Sequence, residues 1–305
     1  MPNVDWKWVD DAGLNSYVQG MRADIDELRR RLSFTDLLGR VLHWERLGQL
    51  RAKIDAIGPR MRHSQLLGEL ELTFLQNPDW VDPTDRYLRV LRADLLGRQL
   101  PSLYRHFERQ LALDPVPRLA ELNIYGAAAQ SLPVEAFPLT GVGKRRSDMA
   151  IQVDGRSVFV EVTALMASDA SREEWDAMNR MGLSHFVGSG RADADVGRLV
   201  GKAAHELRQV APGHANVIVI LQHEPNCPFD AWYTAATEEG FSGDFAAMDP
   251  SHQARLAHLD SIVLCGRHHV RAVCVNATAV AESALTETQR AGLIHAFRLA
   301  DVMMR

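Results

Sequence analysis

Apolar positions recur at helical spacing through roughly the first 130 residues and then change period. Ile25, Leu28 and Leu32 predict a helix over about 20–32. Ser33-Phe-Thr-Asp-Leu-Leu reads as a fresh helix start, with Ser33 or Thr35 as its cap. Leu37, Leu38, Val41, Leu42, Trp44, Leu47, Leu50, Ile54 and Ile57 then form a broad apolar stripe, closed by Gly58-Pro59. Further helices are expected over 63–76, ending at Asn77-Pro78, over about 85–99 with Thr84 as cap, and from Arg118 to about Ala129. Pro101 and Asp114-Pro-Val-Pro117 break the region between the last two. The expectation is an N-terminal helical region over 1–116.

From residue 134 the pattern is that of strands. Val134–Leu139 is a short one, with Pro138 placing it at an edge or an end. Residues 148–153 and 156–165 are stronger. Asp154-Gly155 between them is a two-residue hairpin signal, because both positions of such a turn need positive φ. A polar insertion follows over 167–192, with a short helix near 171–181 and a Gly188-Ser-Gly190 loop. A helix is expected from about Asp195 to Val210, stopped by Pro212-Gly213, and Asn216–Leu221 is a continuous apolar run of the buried-strand type. Ser261–Cys265 and Val270–Asn276 read as two more strands, and a final helix as running from about Thr286 to Met303. The second region, 117–305, is thus an α/β domain of order helix, strand, strand, strand, helix, strand, with the inserted loop 167–192 and a mixed C-terminal extension.

Composition narrows the class. The chain has 305 residues, 46% hydrophobic and 24% charged, an ordinary globular balance with ample material for a core. Three cysteines make neither a disulfide framework nor a metal cluster, and no apolar run reaches membrane-spanning length. The first residues lack the pattern of a signal peptide, so the expectation is a soluble, cytoplasmic protein. The net charge of −5 argues against coating nucleic acid by bulk charge, but it is uneven. Residues 1–160 carry 22 basic against 21 acidic side chains, and residues 161–305 carry 12 against 18. Of the 34 basic residues only Lys7, Lys53, Lys144 and Lys202 are lysines. No phosphate loop, dinucleotide fingerprint or nucleophile–base pattern is present.

The chemistry-bearing stretch is Lys144-Arg-Arg-Ser-Asp148 followed by Glu161-Val-Thr163. Strand alternation puts Glu161 and Thr163 on one face and Val158, Val160 and Val162 on the other. An acid inside Val-Phe-Val-Glu-Val is costly unless it is exposed, paired or bound to a cation. Two carboxylates converging across a hairpin can hold Mg2+ or Mn2+, which take oxygen ligands and can activate water beside a phosphodiester. Lys144, Arg145 and Arg146, next to two glycines, could grip phosphates. The plainer alternatives are that Asp148 pairs with Arg145 or Arg146, that Glu161 is a surface acid, and that Lys202 is solvated.

The order of elements and the Asp148…Glu161-x-Thr163 spacing resemble the PD-(D/E)XK nuclease superfamily, over roughly residues 117–222. The resemblance implies a restriction-endonuclease-like core, with a mixed central sheet flanked by helices. It implies Asp148 and Glu161 as ligands of Mg2+ or Mn2+, the Val162 carbonyl as a third, and Glu121 as the acid on the preceding helix. Glu69 and Glu71 are rival helical acids, farther from the first strand. The family's motif lysine is replaced here by Thr163, which cannot supply its charge. In this family that lysine migrates, and Lys202, on a helix with Arg198, His205 and Gln209, is the first candidate to replace it; Lys144 is the second.

The expected function is a metal-dependent nuclease hydrolysing DNA or RNA, in restriction, defence or repair. The N-terminal helices would recognise substrate or form a homodimer. The competing expectation is a nuclease-fold module that has lost its chemistry and serves as a nucleic-acid-binding or protein-interaction scaffold. A third is an enzyme for a small phosphate ester, with 167–192 as its lid.

Overall fold

The computed structural model describes residues 11–35, 37–41, 52, 74, 81–97, 115–165, 201–222, 250–265 and 270–297. The apolar stripe beyond Val41 (apart from Ala52), most of the expected helix 63–76 with Glu69 and Glu71, and the insertion 167–192 lie outside them, as do Arg198, His223, Cys227, His268 and His269. The chain divides into two compact units, Met1–Leu119 and Ala120–Arg305.

In the first unit, α1 (Asp11–Ser33), α2 (Leu38–Val41) and α3 (Val81–Gly97) are helical. Ile25, Leu28 and Leu32 are buried, as their spacing requires. Ser33 belongs to the end of α1, where its hydroxyl donates to the Arg30 carbonyl. Thr35 is the residue that caps α2, its hydroxyl oxygen accepting from the Gly39 N–H at 2.8 Å. The sequence also misplaces the start of α3, which begins at Val81 with Pro83 in its first turn, leaving the expected cap Thr84 buried inside the helix. Asp85 is the larger surprise. Fully buried, it accepts from the Leu37 and Leu38 N–H groups at 2.7 and 2.8 Å and pairs with Arg89, so one carboxylate satisfies the start of α2 from a separate helix. Asp85→Ala should destabilise this unit by about 2–3 kcal/mol, because it orphans two buried donors. Urea unfolding of the variant would read this as a lower midpoint.

The boundary falls within α4 (Pro115–Ala128), in which both prolines lie in the first turn, where a missing N–H costs nothing, and the second unit takes over from Ala120. Its six-stranded mixed sheet runs in sequence order: β1 (Val134–Ala136), β2 (Met149–Val153), β3 (Arg156–Leu165), β4 (Ala215–Gln222), β5 (Ser261–Cys265) and β6 (Val270–Val275). β1, β2 and β3 form an antiparallel meander, β3–β4 and β4–β5 are parallel, and β6 returns antiparallel to β5. β1 stops three residues short of the expected Leu139 because Phe137 takes a positive φ of 53° ahead of Pro138. The β2–β3 turn is as the sequence demands, with φ of 47° at Asp154 and 76° at Gly155.

Residues 201–206 are helical (α5) and tighten into a 3-10 turn at Leu207–Gln209. The segment after it covers one sheet face, where Ala211 packs with Ala150 and Phe159. α6 (Pro250–Leu256) follows β4, and α7 (Glu287–Ala296) comes after β6. α7 begins with a capping box between Thr286 and Gln289, and its Gly292 faces the Val153 side chain on the opposite sheet face. Helical layers therefore lie on both faces, and β4 and β5 are buried throughout their described side chains. Among the described residues no helix is long and apolar enough to cross a membrane.

Candidate active site

The β2–β3 register fixes the centre of the site. Met149 pairs with Val160 and Ala150 with Phe159, so one further step sets Asp148 opposite Glu161. A two-residue hairpin makes 153↔156, 151↔158 and 149↔160 the hydrogen-bonded pairs. Asp148↔Glu161 therefore falls at a non-hydrogen-bonded position, where the side chains lie closest. The ladder is redirected here. The Val162 N–H donates at 2.8 Å to the Asp148 Oδ2, a side-chain oxygen standing where a strand carbonyl would. The Asp148 carbonyl in turn accepts from the Phe137 N–H. Ser147, also buried, donates to the Val160 carbonyl at 3.0 Å and closes the end of the hairpin. Because N–H and C=O of one strand residue point to the same side, the Val162 carbonyl faces the same gap as the Asp148 carboxylate.

Glu161 is 4% exposed. Its neighbour across β4 is Ile218, which offers no polar atom, and among the described residues neither carboxylate oxygen has a hydrogen-bond partner. Burial raises its pKa well above the ordinary glutamate range, and the charge of Asp148 raises it further. The nearby Ser147 hydroxyl and Asp148 N–H oppose this, although neither makes a well-formed hydrogen bond to Glu161 and the hydroxyl donates to the Val160 carbonyl instead. A third acid, Glu206 on α5, adds to the rise. Glu206 is buried, with one oxygen accepting from the Gln209 side-chain amide at 3.2 Å. Sequence reasoning passed over it. The available signal was its position one residue before Leu207, on the side of the helix that meets the sheet.

The remaining expected residues are placed as follows. Thr163 is buried two residues beyond Glu161, beside Ile220 of β4. Glu121 is buried on α4, the helix that precedes the first strand. Lys202 and His205 are exposed on α5, and Lys202 makes no hydrogen bond or ion pair with another described residue; the charges that raise the Glu161 pKa are those of Asp148 and Glu206. Lys144 is exposed between Gly143 (φ 61°) and Arg145. Arg145 and Arg146 donate to the carbonyls of Arg208 and Phe137 and pair with no carboxylate among the described residues, so Asp148 is not their salt-bridge partner. Cys265 and Cys274 are pushed up by burial to about 12 and about 11, so neither is a thiolate nucleophile at neutral pH.

No group of three or more histidine, cysteine or acidic side chains among the described residues is arranged to hold a metal ion. What the centre offers is two facing carboxylates and a main-chain carbonyl, all oxygen donors. Such a set suits a hard cation that keeps several waters, as Mg2+ does. No family model, no curated protein and no solved structure matches the chain.

Proposed function

We propose that the protein is a metal-dependent nuclease that hydrolyses phosphodiester bonds in DNA or RNA. The observation that carries this reading is the buried Glu161 carboxyl, without a hydrogen-bond partner among the described residues and opposite Asp148. A protein interior tolerates such a group when it is protonated or when a cation neutralises it. Mg2+ or Mn2+ held by Asp148, Glu161 and the Val162 carbonyl would supply that neutralisation, and would supply an activated water and charge stabilisation at phosphate. Glu206 and Glu121 are the acids nearest in role to additional ligands, and Thr163 would hydrogen-bond the water or a phosphate oxygen. The strand order favours the same reading. Three strands followed by a fourth in one mixed sheet, with a helix before the first strand and one before the fourth, is the order that the resemblance to a restriction-endonuclease-like core implies.

The exposure of Lys202 favours a second reading, a nuclease-fold module that binds nucleic acid or protein without cutting. One assay separates the two. Single- and double-stranded DNA and RNA are incubated with Mg2+ or Mn2+ and wild type, Asp148→Asn, Lys202→Ala or Lys144→Ala. Cleavage by wild type that Asp148→Asn loses supports the nuclease. Loss in one lysine variant and not the other identifies the replacement cation. Absence of cleavage on all four polymers, with no Mn2+ binding by calorimetry, refutes the enzyme and leaves the scaffold.

A further inference from the structure

Three separate segments bring positive charge to the C-terminal end of α5. The Arg145 guanidinium reaches across from the β1–β2 connection and donates to the Arg208 carbonyl at 2.5 Å. Arg255, from α6, donates to the same carbonyl at 2.6 Å. Arg208 itself is exposed, as are Lys144 and Arg146 beside Arg145. Among the described residues none of these five side chains pairs with a carboxylate.

A helix C-terminus attracts a cation, and one guanidinium on the last carbonyls would satisfy it. Two on a single carbonyl, with a third on the residue that bears it, exceed that need and repel one another. Arg145 and Arg255 each bind the main chain through one terminal nitrogen, and no other described residue takes the remaining donors of either fork. The excess draws Arg208 and Arg255 from the acidic half of the chain, where 12 basic residues face 18 acidic ones after position 160, and Lys144, Arg145 and Arg146 from before it. It also flanks the acid pair. Arg145 is three residues from Asp148, and Arg208 is two residues from Glu206, whose charge acts on Glu161.

From this geometry we infer that Lys144, Arg145, Arg146, Arg208 and Arg255 form a phosphate track for the backbone of a nucleic-acid strand leading to the Asp148–Glu161 pair. The inference rests on the nuclease reading for its direction, and it extends the binding surface to α5 and α6. Guanidinium forks match phosphate oxygens in pairs, and several spaced along a surface suit a polymer better than one small ester.

The test is binding in EDTA, where cleavage does not interfere, of labelled single- and double-stranded DNA and RNA to the full chain, followed by fluorescence anisotropy over 50–300 mM salt. The variant is Lys144→Ala/Arg208→Ala, since neither side chain makes a hydrogen bond to a described residue and the fold should persist; a thermal melt checks this. At about 50 mM salt the double variant should bind roughly 100-fold more weakly, with the salt slope lowered by about 1.8, the share of two phosphate contacts. Unchanged affinity and slope, or no binding of any polymer by wild type, overturns the track. Binding that falls as expected in a protein that never cleaves leaves the track standing and removes the chemistry alone.

Discussion

Glu161→Gln should make the metal-free protein more stable at pH 8 while lowering any cleavage at least about 1,000-fold, a loss of about 4 kcal/mol of transition-state stabilisation. The stability half follows from linkage. Burial and the Asp148 charge raise the Glu161 pKa in the folded state above its unfolded value of 4.5. Between those two values the folded state binds the extra proton, so stability falls as pH rises. Below pH 4.5 the side chain is protonated in both states and the penalty vanishes; above the raised folded value the full penalty applies. Each unit of displacement corresponds to about 1.4 kcal/mol. A glutamine amide is also buried at a cost, but a smaller one than a charge. In EDTA, the melting temperature of wild type should therefore decline between pH 5 and pH 8 relative to Glu161→Gln, by about 2–4 °C per kcal/mol for a unit of this size. Added Mn2+ should raise the wild-type melt at pH 8 through binding to the folded state, and should leave Glu161→Gln unmoved. Parallel pH profiles for the two proteins, together with equal Mn2+ shifts, would mean that Glu161 is neither strained nor a ligand.

This pairing of instability with chemistry explains which parts of the site the sequence discloses. Asp154-Gly155 specifies a two-residue turn, and such a turn counts the strands off in pairs until Asp148 meets Glu161. The facing carboxylates are thus a local consequence of two turn residues and the period of a strand. The apolar runs 216–221 and 261–265 likewise announce interior strands, because no polar alternation marks a solvent face. What stayed hidden depends on packing between distant segments. Glu206 reads as one more polar helix residue until the sheet covers it. Asp85 reads as an ordinary helical acid, yet it caps a helix that begins 47 residues earlier. Lys202 has a suitable charge and a suitable helix, but its exposure is set by how α5 is rotated over the sheet, which spacing alone does not fix. The convergence of Arg145 and Arg255 on one carbonyl joins positions 110 residues apart and has no signature in either segment.

Asp260→Ala should be the most damaging single change to the folding of the second unit, costing about 3–5 kcal/mol. Asp260 is 1% exposed at the start of β5, and its main chain bridges two strand ends, with its N–H donating to the Asn216 carbonyl and its carbonyl accepting from the Asn276 N–H. Its carboxylate accepts from the Leu285 N–H at 2.7 Å and from the Arg290 guanidinium at 2.7 and 3.0 Å. Arg290 also donates to the Leu285 carbonyl, and the Asp260 charge holds its pKa above the ordinary arginine value. One buried acid therefore fixes the turn before α7 and the first turns of the helix at once. Alanine would leave a mostly buried guanidinium without its counter-charge and an amide without its acceptor, and it is the orphaned groups that make the cost large. Removing both members should cost less than the sum. Arg290→Met in the Asp260→Ala background should recover part of the loss, whereas Asp260→Asn should fall between wild type and alanine, since its oxygen can still accept from Leu285. Melting of wild type, Asp260→Ala, Arg290→Met and the double variant closes the double-mutant cycle, with Asp260→Asn measured beside it. A drop on the order of 10 °C for Asp260→Ala, with coupling of at least about 1.5 kcal/mol, is the expected result. Additive effects near zero would show α7 to be held by its apolar face alone.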